Sequence, residues 1–581
     1  MSQGVTACPL DCFDACSIVY RDSKLSGVKS GHTQGFLCPH LNHYNEFERI
    51  ISPRYKGQKI SIKDALVILK EILAQSPHKE MLYYKGSGNF GLMQDVTEHF
   101  FSEFDAISTE GTLCDGAGEA GILKGRGSNQ NMPLSEIAKS EVVIVWGRNP
   151  HTTSSHLLPF LKGKKLIVID PVTTKIAKQA TIHIQLKPNT DIYLAMLLMN
   201  YLEISEGLDK DFLDKYKDKY EEYCKLIKNY SNSDLLQNMD ISLEKVKRVV
   251  ELVNGKRVAI VCGLGIQKYK NGADVMQAID AFALSLGLFG KEGCGVSYLG
   301  NSKEGLVSPF SSKAKRVSKV DVAFDEYKSI FIQGSNPLSQ MPNTARVKET
   351  LSKVQNIVYF GLYENETSRV ADLIIPAKTF LEKEDVRTSY SHNGFMVMNK
   401  QIESDIGISE YDLAKYLCLE FGIELKDEEE YLTHFKNFAQ EKKDGSFEVK
   451  LRDTIQYRNG FDTKDGEFKF LQKFHIEAMR DANEMYLITP KSAKSLNSQF
   501  VREEEVFLHS KLGFKEGESV KISSAAGSVV LKVKYNDDLR KDCALVYSGT
   551  PGVNNLTSSE HSSFGKSAIY QENRVIITDI I

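Results

Sequence analysis

The sequence predicts an α/β protein with doubly wound, mostly parallel sheets, a cysteine-rich module at the N-terminus and a β-barrel at the C-terminus. Three observations lead to this fold class. Four cysteines fall within the first forty residues. From about residue 56 to residue 484, runs of buried-strand residues alternate with helical patterns, as in sheets built from crossover units. From Met485 onwards, short β runs punctuated by glycines predict a compact barrel.

The N-terminal module, residues 1–55, contains Cys8, Cys12, Cys16 and Cys38 in a Cys-x3-Cys-x3-Cys-x21-Cys spacing. Thiolates are soft ligands that suit zinc or iron–sulfur clusters. Structural zinc sites usually pair their cysteines in short knuckles, so three clustered cysteines and a remote one favour a 4Fe–4S cluster over zinc. A radical-SAM site is a further alternative, but it leaves one iron without a cysteine, and Cys38 argues against it.

The first βα unit contains a glycine-rich loop. A strand is predicted at residues 81–84, and Gly86-Ser-Gly88-Asn89-Phe-Gly91 follows it and precedes a helix. This G-x-G-x-x-G pattern lets the backbone approach a phosphate or a cluster closely. An NAD site also needs an acidic residue at the end of the next strand. Residues 107–114 do not form a convincing βα return, so the pattern favours another cofactor over NAD.

Later strand ends repeat a small set of polar and turn-forming residues. These residues turn tightly and donate or accept hydrogen bonds, and in parallel sheets the ligand lies beyond the carboxyl ends of the strands. Each could be an ordinary turn, but their recurrence at equivalent positions predicts one large polar ligand with more than one phosphate. The ends are Trp146-Gly147-Arg148-Asn149-Pro150, Asp170-Pro171, Gly263-Leu-Gly265 and Gly334-Ser-Asn336-Pro337.

Composition excludes some function classes. A net charge of −3 gives no basic field for nucleic acid. No apolar run approaches the roughly 18 residues that span a bilayer. The first residues show neither a signal-peptide apolar region nor a twin arginine, and the cysteines show no short disulfide framework, so we expect a cytoplasmic protein. The scattered Cys224, Cys262, Cys294, Cys418 and Cys543 are expected to be packing residues.

Taken together, these segments resemble the molybdopterin oxidoreductases of the dimethyl-sulfoxide-reductase superfamily. That family opens with a cysteine-ligated 4Fe–4S cluster, whose last cysteine lies in a context similar to Gly35-Phe-Leu-Cys38-Pro39. Its glycine loop near the cofactor is similar to Tyr84-x-Gly-Ser-Gly-Asn89. Further signatures similar to the family are Ala371-Asp-Leu-Ile-Ile-Pro376, Leu381-Glu-Lys-Glu-Asp385, Asn497-Ser-Gln-Phe500 and Val553-Asn-Asn-Leu-Thr557. The resemblance covers nearly the whole chain.

The resemblance implies molybdenum, or tungsten, between two molybdopterin guanine dinucleotides. It implies an α/β domain near the metal site formed by residues 56–140 and 360–484, and a Rossmann-like dinucleotide-binding domain at 141–359. Residues 485–581 form the barrel, a second dinucleotide-binding domain. By position, the residues that line the dinucleotides are Gly86, Gly88, Asn89, Trp146, Gly147, Arg148, Asn149, Asp170, Gly263, Gly265, Gly334, Asn336, Asn497 and Asn554.

The family places the protein ligand of the metal after the first βα unit. Cys114 occupies that segment here, among glycines, and its thiolate suits a soft metal. Asp115 and Ser108 are the alternative ligands, and simple packing is the alternative role for Cys114. Formate dehydrogenases of this family commonly have histidine after the ligand; Asp115 follows Cys114, which counts against formate. The family often has a lysine between the cluster and the pterin, at the position of His40. This chain therefore differs from the family along the expected electron path.

Arg126, Arg387 and His392 are candidate groups facing the substrate, since arginine suits oxoanions, although surface ion pairs are an alternative role. The expected activity is a two-electron redox reaction of a small molecule, with electrons passed through the cluster to a ferredoxin-like or iron–sulfur partner. Two other functions are considered. One is an electron-transfer or scaffold subunit that has the cluster but lacks the metal, and the other is a non-redox hydratase on the same fold.

Overall fold

The computed structural model describes residues 4–29, 33–42, 44, 47–86, 91–390, 394–441, 447–450, 453–474 and 483–580, and only the backbone of 216–218. The chain forms two compact units. The first consists of Met1–Gly111, Ser302–Leu451 and Ala493–Arg502, and the second of Thr112–Asn301, Arg452–Ser492 and Glu503–Ile581. Within these described ranges, no helix has both the length and the apolar character needed to cross a bilayer.

The first unit is built on an eight-stranded sheet. Six neighbouring strands are parallel, and a short antiparallel pair completes one edge. In spatial order the strands are Arg316–Ser318, Ile107–Glu110, Met81–Lys85, Ser329–Gln333, Asn356–Gly361, Leu373–Pro376, Arg54–Tyr55 and Gln58–Lys59. The helices of this unit are Pro39–Asn42, Ile62–Gln75, Val96–Glu103, Pro337–Gln340, Thr344–Leu351, Glu410–Phe421 and Glu428–Lys436.

Three antiparallel sheets complete the first unit. The N-terminal sheet contains Gly4–Ala7, Ser17–Arg21 and Lys24–Gly27. A four-stranded sheet has the order Asp385–Thr388, Gly394–Met398, Phe447–Val449 and Ala439–Glu441, and a hairpin joins Ser495–Leu496 to Gln499–Phe500.

Sequence patterning explains the first helix of the large sheet. The helix Ile62–Gln75 begins after Ser61, whose hydroxyl accepts the backbone N–H of Asp64 at 3.1 Å and so caps the helix. Its apolar side chains recur at helical spacing, which places Leu69 and Leu73 in the core of the first unit.

The second unit contains a five-stranded, fully parallel sheet. In spatial order its strands are Ile182–Ile184, Lys165–Ile169, Val142–Trp146, Val258–Cys262 and Gly295–Ser297. The helices are Gly116–Arg126, Leu134–Lys139, Pro150–Thr153, Leu158–Leu161, Asp191–Ile204, Lys210–Leu213, Lys217–Lys228, Asn232–Met239, Leu243–Val253 and Gly272–Ser285. The central strands are buried on both faces, as expected for a parallel sheet covered by helices.

The C-terminal part of the second unit is a closed barrel, which confirms the prediction from the short β runs. Its strands, in spatial order, are Met485–Ile488, Cys543–Leu545, Glu505–Leu508, Ser528–Tyr535, Ser519–Ser523 and Arg574–Asp579. The predicted α/β class with mostly parallel sheets is likewise confirmed by the two large sheets.

Three local predictions differ from the structure. Ile107–Glu110 is a parallel strand beside Met81–Lys85. The βα return is therefore present, although the composition of this segment did not predict it. Its last two residues are only half buried, which explains the weak apolar signal. The strands Ser329–Gln333 and Asn356–Gly361 pair in the eight-stranded sheet, whereas the predicted division placed them with residues 141–359. The helix-rich, charged pattern of residues 403–484 predicts helices, whereas the described helices of this segment end at Lys436 and the strands Ala439–Glu441 and Phe447–Val449 follow.

Candidate functional site

The N-terminal cysteines lie in one part of the first unit. Residues 8–16, called the cysteine loop below, connect the first two strands of the N-terminal sheet. The backbone N–H of Cys8 donates to the carbonyl oxygen of Cys16 at 2.9 Å and closes this loop. Cys38 comes directly before a short helix and packs in the same hydrophobic cluster as Cys8 and Cys16.

Burial and mutual repulsion act on these thiols. Burial, followed by the charge of Cys38, raises the pKa of Cys8 to about 12. Burial raises the pKa of Cys16 as well, and Asp14, Cys8, Cys12 and Cys38 raise it further. None of the four is in a disulfide. Thiols that lie this close and repel each other when ionised fit an iron–sulfur core, whose positive irons replace their protons.

Arg387 extends from the strand Asp385–Thr388 to the cysteine loop. Its Nη2 donates to Asp11 Oδ1 at 3.2 Å, and its charge counteracts part of the rise that burial causes in the pKa of Cys8. The side chain is only 2% exposed, and among the described residues its Nε and Nη1 have no hydrogen-bond partner. A buried guanidinium with two unpaired N–H groups fits an anionic ligand.

His40 lies in the short helix after Cys38. Its ring lies against Phe500, with ring centroids 6.2 Å apart and an interplanar angle of 22°. Phe500 belongs to the hairpin of the first unit, whose turn contains Asn497 with a φ of +52°. The structure thus places His40, which stands where the family often has lysine, against the segment that contains a predicted cofactor residue.

The five-stranded sheet contains a topological switch point. From Val142–Trp146 the chain proceeds to one edge, and from Val258–Cys262 to the other, so the strand order reverses between these neighbours. Gly147 has a φ of +60°, and a Cβ on Gly263 would overlap its carbonyl oxygen. Ligands of open α/β sheets bind beyond the carboxyl ends at such a point. Both predicted glycines therefore lie where a phosphate could approach the backbone.

Buried polar groups surround the same strand ends. Trp146 Nε1 donates to Asp191 Oδ1 at 2.7 Å. Burial raises the pKa of Asp191 to about 6, and burial together with Asp191 raises the pKa of Asp170 to about 7. Asn149 Oδ1 and both side-chain polar atoms of Asn189 are buried without a partner among the described residues. Unsatisfied buried polar atoms at this position fit a polar ligand. The sequence analysis identified Asp170 and Asn149 but missed Asp191 and Asn189.

The eight-stranded sheet of the first unit repeats this arrangement. Its strand order reverses between Met81–Lys85 and Ser329–Gln333, which Gly86 and Gly334 follow. Gly334 has a φ of +54°, and a Cβ on Gly86 would overlap the carbonyl oxygen of Gly334. Asn336 Nδ2 donates to a carboxylate oxygen of Glu366 at 2.7 Å. Each unit therefore has a pair of closely approaching glycines at a switch point, the position where open α/β sheets bind ligands.

The loop from Thr112 to Asp115, called the ligand loop below, presents Cys114 in the second unit. Thr112 Oγ1 accepts the backbone N–H of Cys114 at 2.7 Å. Gln267 Nε2 donates to the carbonyl oxygen of Cys114 at 2.7 Å, and Tyr298 Oη donates to that of Asp115 at 2.7 Å. These bonds fix the backbone on three sides and leave the half-buried thiol without a disulfide.

Three titratable groups lie close to the ligand loop. Burial lowers the pKa of Lys268, whereas the charges of Cys114 and Asp115 raise it. Burial, followed by repulsion from Lys268, lowers the pKa of Lys491 to about 8. Glu119 has a pKa raised to about 7 by burial and by Asp115. The predicted metal ligand therefore lies beside two ammonium groups and a carboxyl that titrates near neutral pH.

The two alternative ligands have other surroundings. Asp115 Oδ1 accepts the hydroxyl proton of Thr112 at 3.0 Å. Ser108 lies within the strand Ile107–Glu110 of the first unit and is buried. Cys114 as the metal ligand stays a prediction.

The structure separates Arg126 from the ligand loop and corrects its predicted role. Arg126 is the last residue of the helix Gly116–Arg126, which puts it about 15 Å from the helix start at a rise of 1.5 Å per residue. Its side chain is fully buried, and its Nε donates to Asp280 Oδ2 at 2.7 Å while the guanidinium lies over Phe289. This is a core ion pair, because apolar packing encloses the group and keeps a substrate away.

The remaining predicted site residues make local contacts or lie outside the described residues. Arg148 donates to Ser154 Oγ at 2.7 Å, and Asn554 Oδ1 accepts the hydroxyl of Thr557 at 3.1 Å. Gly265 lies in a short helical turn after the strand Val258–Cys262. Gly88, Asn89 and His392 lie outside the described residues.

Comparison with sequence families gives two matches. Residues 59–405, more than half of the chain, match the family described as molybdopterin oxidoreductase. Residues 485–574, which include most of the barrel, match the molydopterin dinucleotide binding domain.

Individual proteins are similar at lower identity. A probable oxidoreductase, YyaE, of Bacillus subtilis is 28% identical over 446 residues, which is 70% of this chain and 67% of that protein. Formate dehydrogenase H of Escherichia coli is 23% identical, covering 69% of this chain and 66% of that protein. The solved structure of acetylene hydratase from Pelobacter acetylenicus superimposes with a TM-score of 0.77 over 99% of both chains at 16% identity. At that identity the match is one of fold.

Proposed function

The chain belongs to the molybdopterin oxidoreductase family, and from that premise we propose that it catalyses a two-electron redox reaction of a small substrate. In this proposal molybdenum or tungsten is bound between two molybdopterin guanine dinucleotides, and one 4Fe–4S cluster passes the electrons. The metal and its pterins supply the redox chemistry when bound, and the chain supplies position and electrostatics.

The observation that carries the proposal is the repeated switch-point cradle. One lies at Gly147 and Gly263, and the other at Gly86 and Gly334. Each combines a glycine with positive φ, a second glycine with no room for a Cβ, and the sequence Gly-x-Asn-Pro. Two cradles of one design support two ligands of one kind, with one dinucleotide assigned to each unit.

The cysteine arrangement supports the cluster. Cys8, Cys12, Cys16 and Cys38 form no disulfide and influence one another electrostatically, as four ligands of one cubane do. A cluster at this place exchanges single electrons, so the proposal includes a ferredoxin-like or iron–sulfur partner. Ten cysteines without a disulfide also support the cytoplasm as the location, because its thiols are kept reduced.

Residues around the ligand loop have separate roles in the proposal. Cys114 is the protein ligand of the metal, since hydrogen bonds fix its backbone and its half-buried thiol is not in a disulfide. Lys268 and Lys491 hold positive charge beside that thiolate and attract an anionic group. Glu119 exchanges a proton at neutral pH, because its pKa is about 7.

Arg387 is proposed as a second anion-binding group, in the first unit. Its Nε and Nη1 are buried and have no partner within the described part of the chain, which suits an oxoanion or a carboxylate held by two parallel hydrogen bonds. Formate remains disfavoured as the substrate because Asp115 follows Cys114 in place of histidine.

A hydratase is the second candidate, since acetylene hydratase has the same fold over the full length of both chains. A scaffold subunit that lacks the metal is the third. A hydratase needs no external electron donor or acceptor, and a scaffold turns nothing over. Dye-coupled assays therefore identify the redox enzyme, and a dye-free hydration assay separates the hydratase from the scaffold.

The test uses anaerobically purified protein with reduced methyl viologen as donor and oxidised benzyl viologen as acceptor. The assayed substrates are nitrate, N-oxides, sulfoxides and formate. We expect at least one substrate to change the oxidation state of a dye, and the Cys114→Ala variant to lose that signal. Substrate-independent dye behaviour together with dye-free hydration of an alkyne would contradict the proposal.

A further inference from the structure

Arg387 is a buried positive charge beside the cysteine loop. Its side chain is 2% exposed, and its Nη2 donates to Asp11 Oδ1 at 3.2 Å. Its Nε and Nη1 have no hydrogen-bond partner among the described residues. A guanidinium keeps its proton in proteins, so this charge persists in the interior of the first unit. Asp11 is partly exposed to water, which weakens its compensation of the charge.

The backbone around Arg387 holds it against this loop. Arg387 belongs to the strand Asp385–Thr388, which pairs with the strand Gly394–Met398. Directly after the first strand, Ser389 Oγ donates to the carbonyl oxygen of Phe13 at 2.8 Å, and this bond is buried. Arg387 and Ser389 thus each bond to the cysteine loop. The guanidinium is therefore held near the cysteines by a paired strand and not only by its own side chain.

The charge of Arg387 acts on one of the cysteines. Burial, followed by the charge of Cys38, raises the pKa of Cys8 to about 12, and Arg387 counteracts part of this rise. Asp14 also acts on Cys8, in the opposite direction and less strongly than Arg387. A charge that stabilises a thiolate also stabilises an electron added to a cluster that the thiolate binds, because both place negative charge in the same region.

We propose that Arg387 raises the reduction potential of the cluster and that Asp11 lowers it. Four thiolates outweigh the positive charge of the iron–sulfur core, and each added electron makes the cluster more negative. A buried cation nearby therefore favours the reduced cluster, whereas a carboxylate favours the oxidised one. The cluster takes up one electron at a time and passes it to the ferredoxin-like partner. The assignment rests on the proposed function, because it requires the 4Fe–4S cluster.

The test is an electrochemical titration of the holoenzyme with viologen mediators and without added oxoanions. The electron paramagnetic resonance signal of the reduced cluster is the readout. Arg387→Gln removes the charge and keeps the polar side chain. At a fixed potential we expect the ratio of reduced to oxidised cluster to fall about tenfold or more, which corresponds to about 59 mV for one electron. Arg387→Lys keeps the charge and should restore the potential. Asp11→Asn should shift it upwards.

Arg316→Gln is the matched control. Arg316 belongs to the same unit, but its side chain is 37% exposed and its Nη2 donates to Glu98 Oε1 at 2.9 Å. Water and salt screen such a charge, so this variant should titrate as the wild type does.

The outcomes separate the inference from the proposed function. An intact cluster with the wild-type potential in Arg387→Gln would overturn the assignment, and so would an equally lowered potential in Arg387→Lys. If Arg387→Gln does not retain the cluster, Asp11→Asn decides: a higher potential supports the assignment, and an unchanged or lower one overturns it. Wild-type protein without a cluster signal would overturn the proposed function as well.

Discussion

Gly263 and Gly147 approach each other so closely that a Cβ on Gly263 would overlap the carbonyl oxygen of Gly147. Gly86 and Gly334 have the same relationship in the first unit. In both sheets the two glycines follow the neighbouring strands between which the strand order reverses. The glycine requirement therefore has a geometric cause at each switch point, before any ligand is considered.

We expect Gly263→Ala and Gly265→Ala to behave differently. A methyl group on Gly263 meets fixed backbone, so the loop must shift and the protein should lose stability by roughly 1–3 kcal/mol. A methyl group on Gly265 finds only one atom within 4 Å, at 3.8 Å, so the cofactor-free protein should unfold as the wild type does. If Gly265 lines the dinucleotide, its variant should still contain less GMP. Equal stability of the two variants in urea would contradict the steric explanation.

A second prediction concerns Gln267, which ties the ligand loop to the neighbouring glycine loop. Its Nε2 donates to the carbonyl oxygens of Cys114 and Leu264, and its Oε1 accepts the N–H of Gly118 at 2.9 Å. Gln267→Met should release the ligand loop and lower the metal content of the purified protein, because the thiol loses its fixed position.

Gln277→Met is the control for the Gln267 variant. Gln277 is equally buried in the same unit, and its Nε2 donates to the carbonyl oxygen of Lys469. Both variants lose buried hydrogen bonds and should be destabilised by about 1–3 kcal/mol, but only Gln267→Met should lose metal, measured by mass spectrometry. Equal metal loss in both would mean that general destabilisation is the cause.

A third prediction tests Cys114 as the metal ligand. Cys114→Ala should abolish turnover and leave the iron–sulfur signal intact, because the cluster cysteines belong to a different segment. Cys114→Ser should retain the metal with a shifted redox potential, since an alkoxide is a harder donor than a thiolate. The control is Cys294→Ala, which should cost about 1 kcal/mol of stability with no change in activity. X-ray absorption that shows the same metal–sulfur coordination in wild type and Cys114→Ala would mean that Cys114 only packs.

The fourth prediction concerns pH and the cofactor-free protein. The pKa of Asp170 is about 7, well above its ordinary value, because the carboxyl is buried near Asp191. Between about pH 4 and pH 7 the folded state holds a proton that the unfolded chain has released, so the free energy of unfolding falls as pH rises through this window. Asp170→Asn removes the contribution of Asp170 to this dependence, leaves that of Asp191, and keeps an acceptor for the N–H of Val172.

Urea unfolding between pH 4 and pH 8 measures the effect. Asp170→Asn should become more stable than the wild type as pH rises, by about 1 kcal/mol for each unit of pKa shift. Asp22→Asn, in an exposed turn, should follow the wild-type curve. A wild-type stability that rises between pH 4 and pH 7 to the same extent in all three proteins would contradict the assigned shift.

Much of the fold follows from local sequence patterns. The run Val142–Trp146 and the run Val258–Cys262 are apolar at every position, as expected of a strand covered on both faces, and both runs are buried strands in the structure. The barrel was predicted from a different signal, because its β runs are short and turn residues separate them. Ile107–Glu110 was not predicted because half of it is solvated and only pairing with Met81–Lys85 reveals it as a strand.

Parts of the candidate site could be predicted where a characteristic residue directly follows a strand. Gly147 and Asp170 have that signal, and so does the spacing of the cysteines. Gln267 and Asn189 do not. The first acts through a hydrogen bond to a residue 153 positions away, and the second through an unpaired amide in a left-handed turn. Both roles depend on packing that no local pattern contains, and the same is true of the burial that assigns Arg126 to the core.

The composition of wild-type protein purified without oxygen tests the proposed set of cofactors. Metal analysis, sulfide determination and nucleotide release are measured on one sample. We expect about four irons with matching sulfide, one molybdenum or tungsten, and about two guanine nucleotides per chain. Stoichiometric zinc without labile sulfide, or metal-replete protein that releases NAD or no nucleotide, would contradict it.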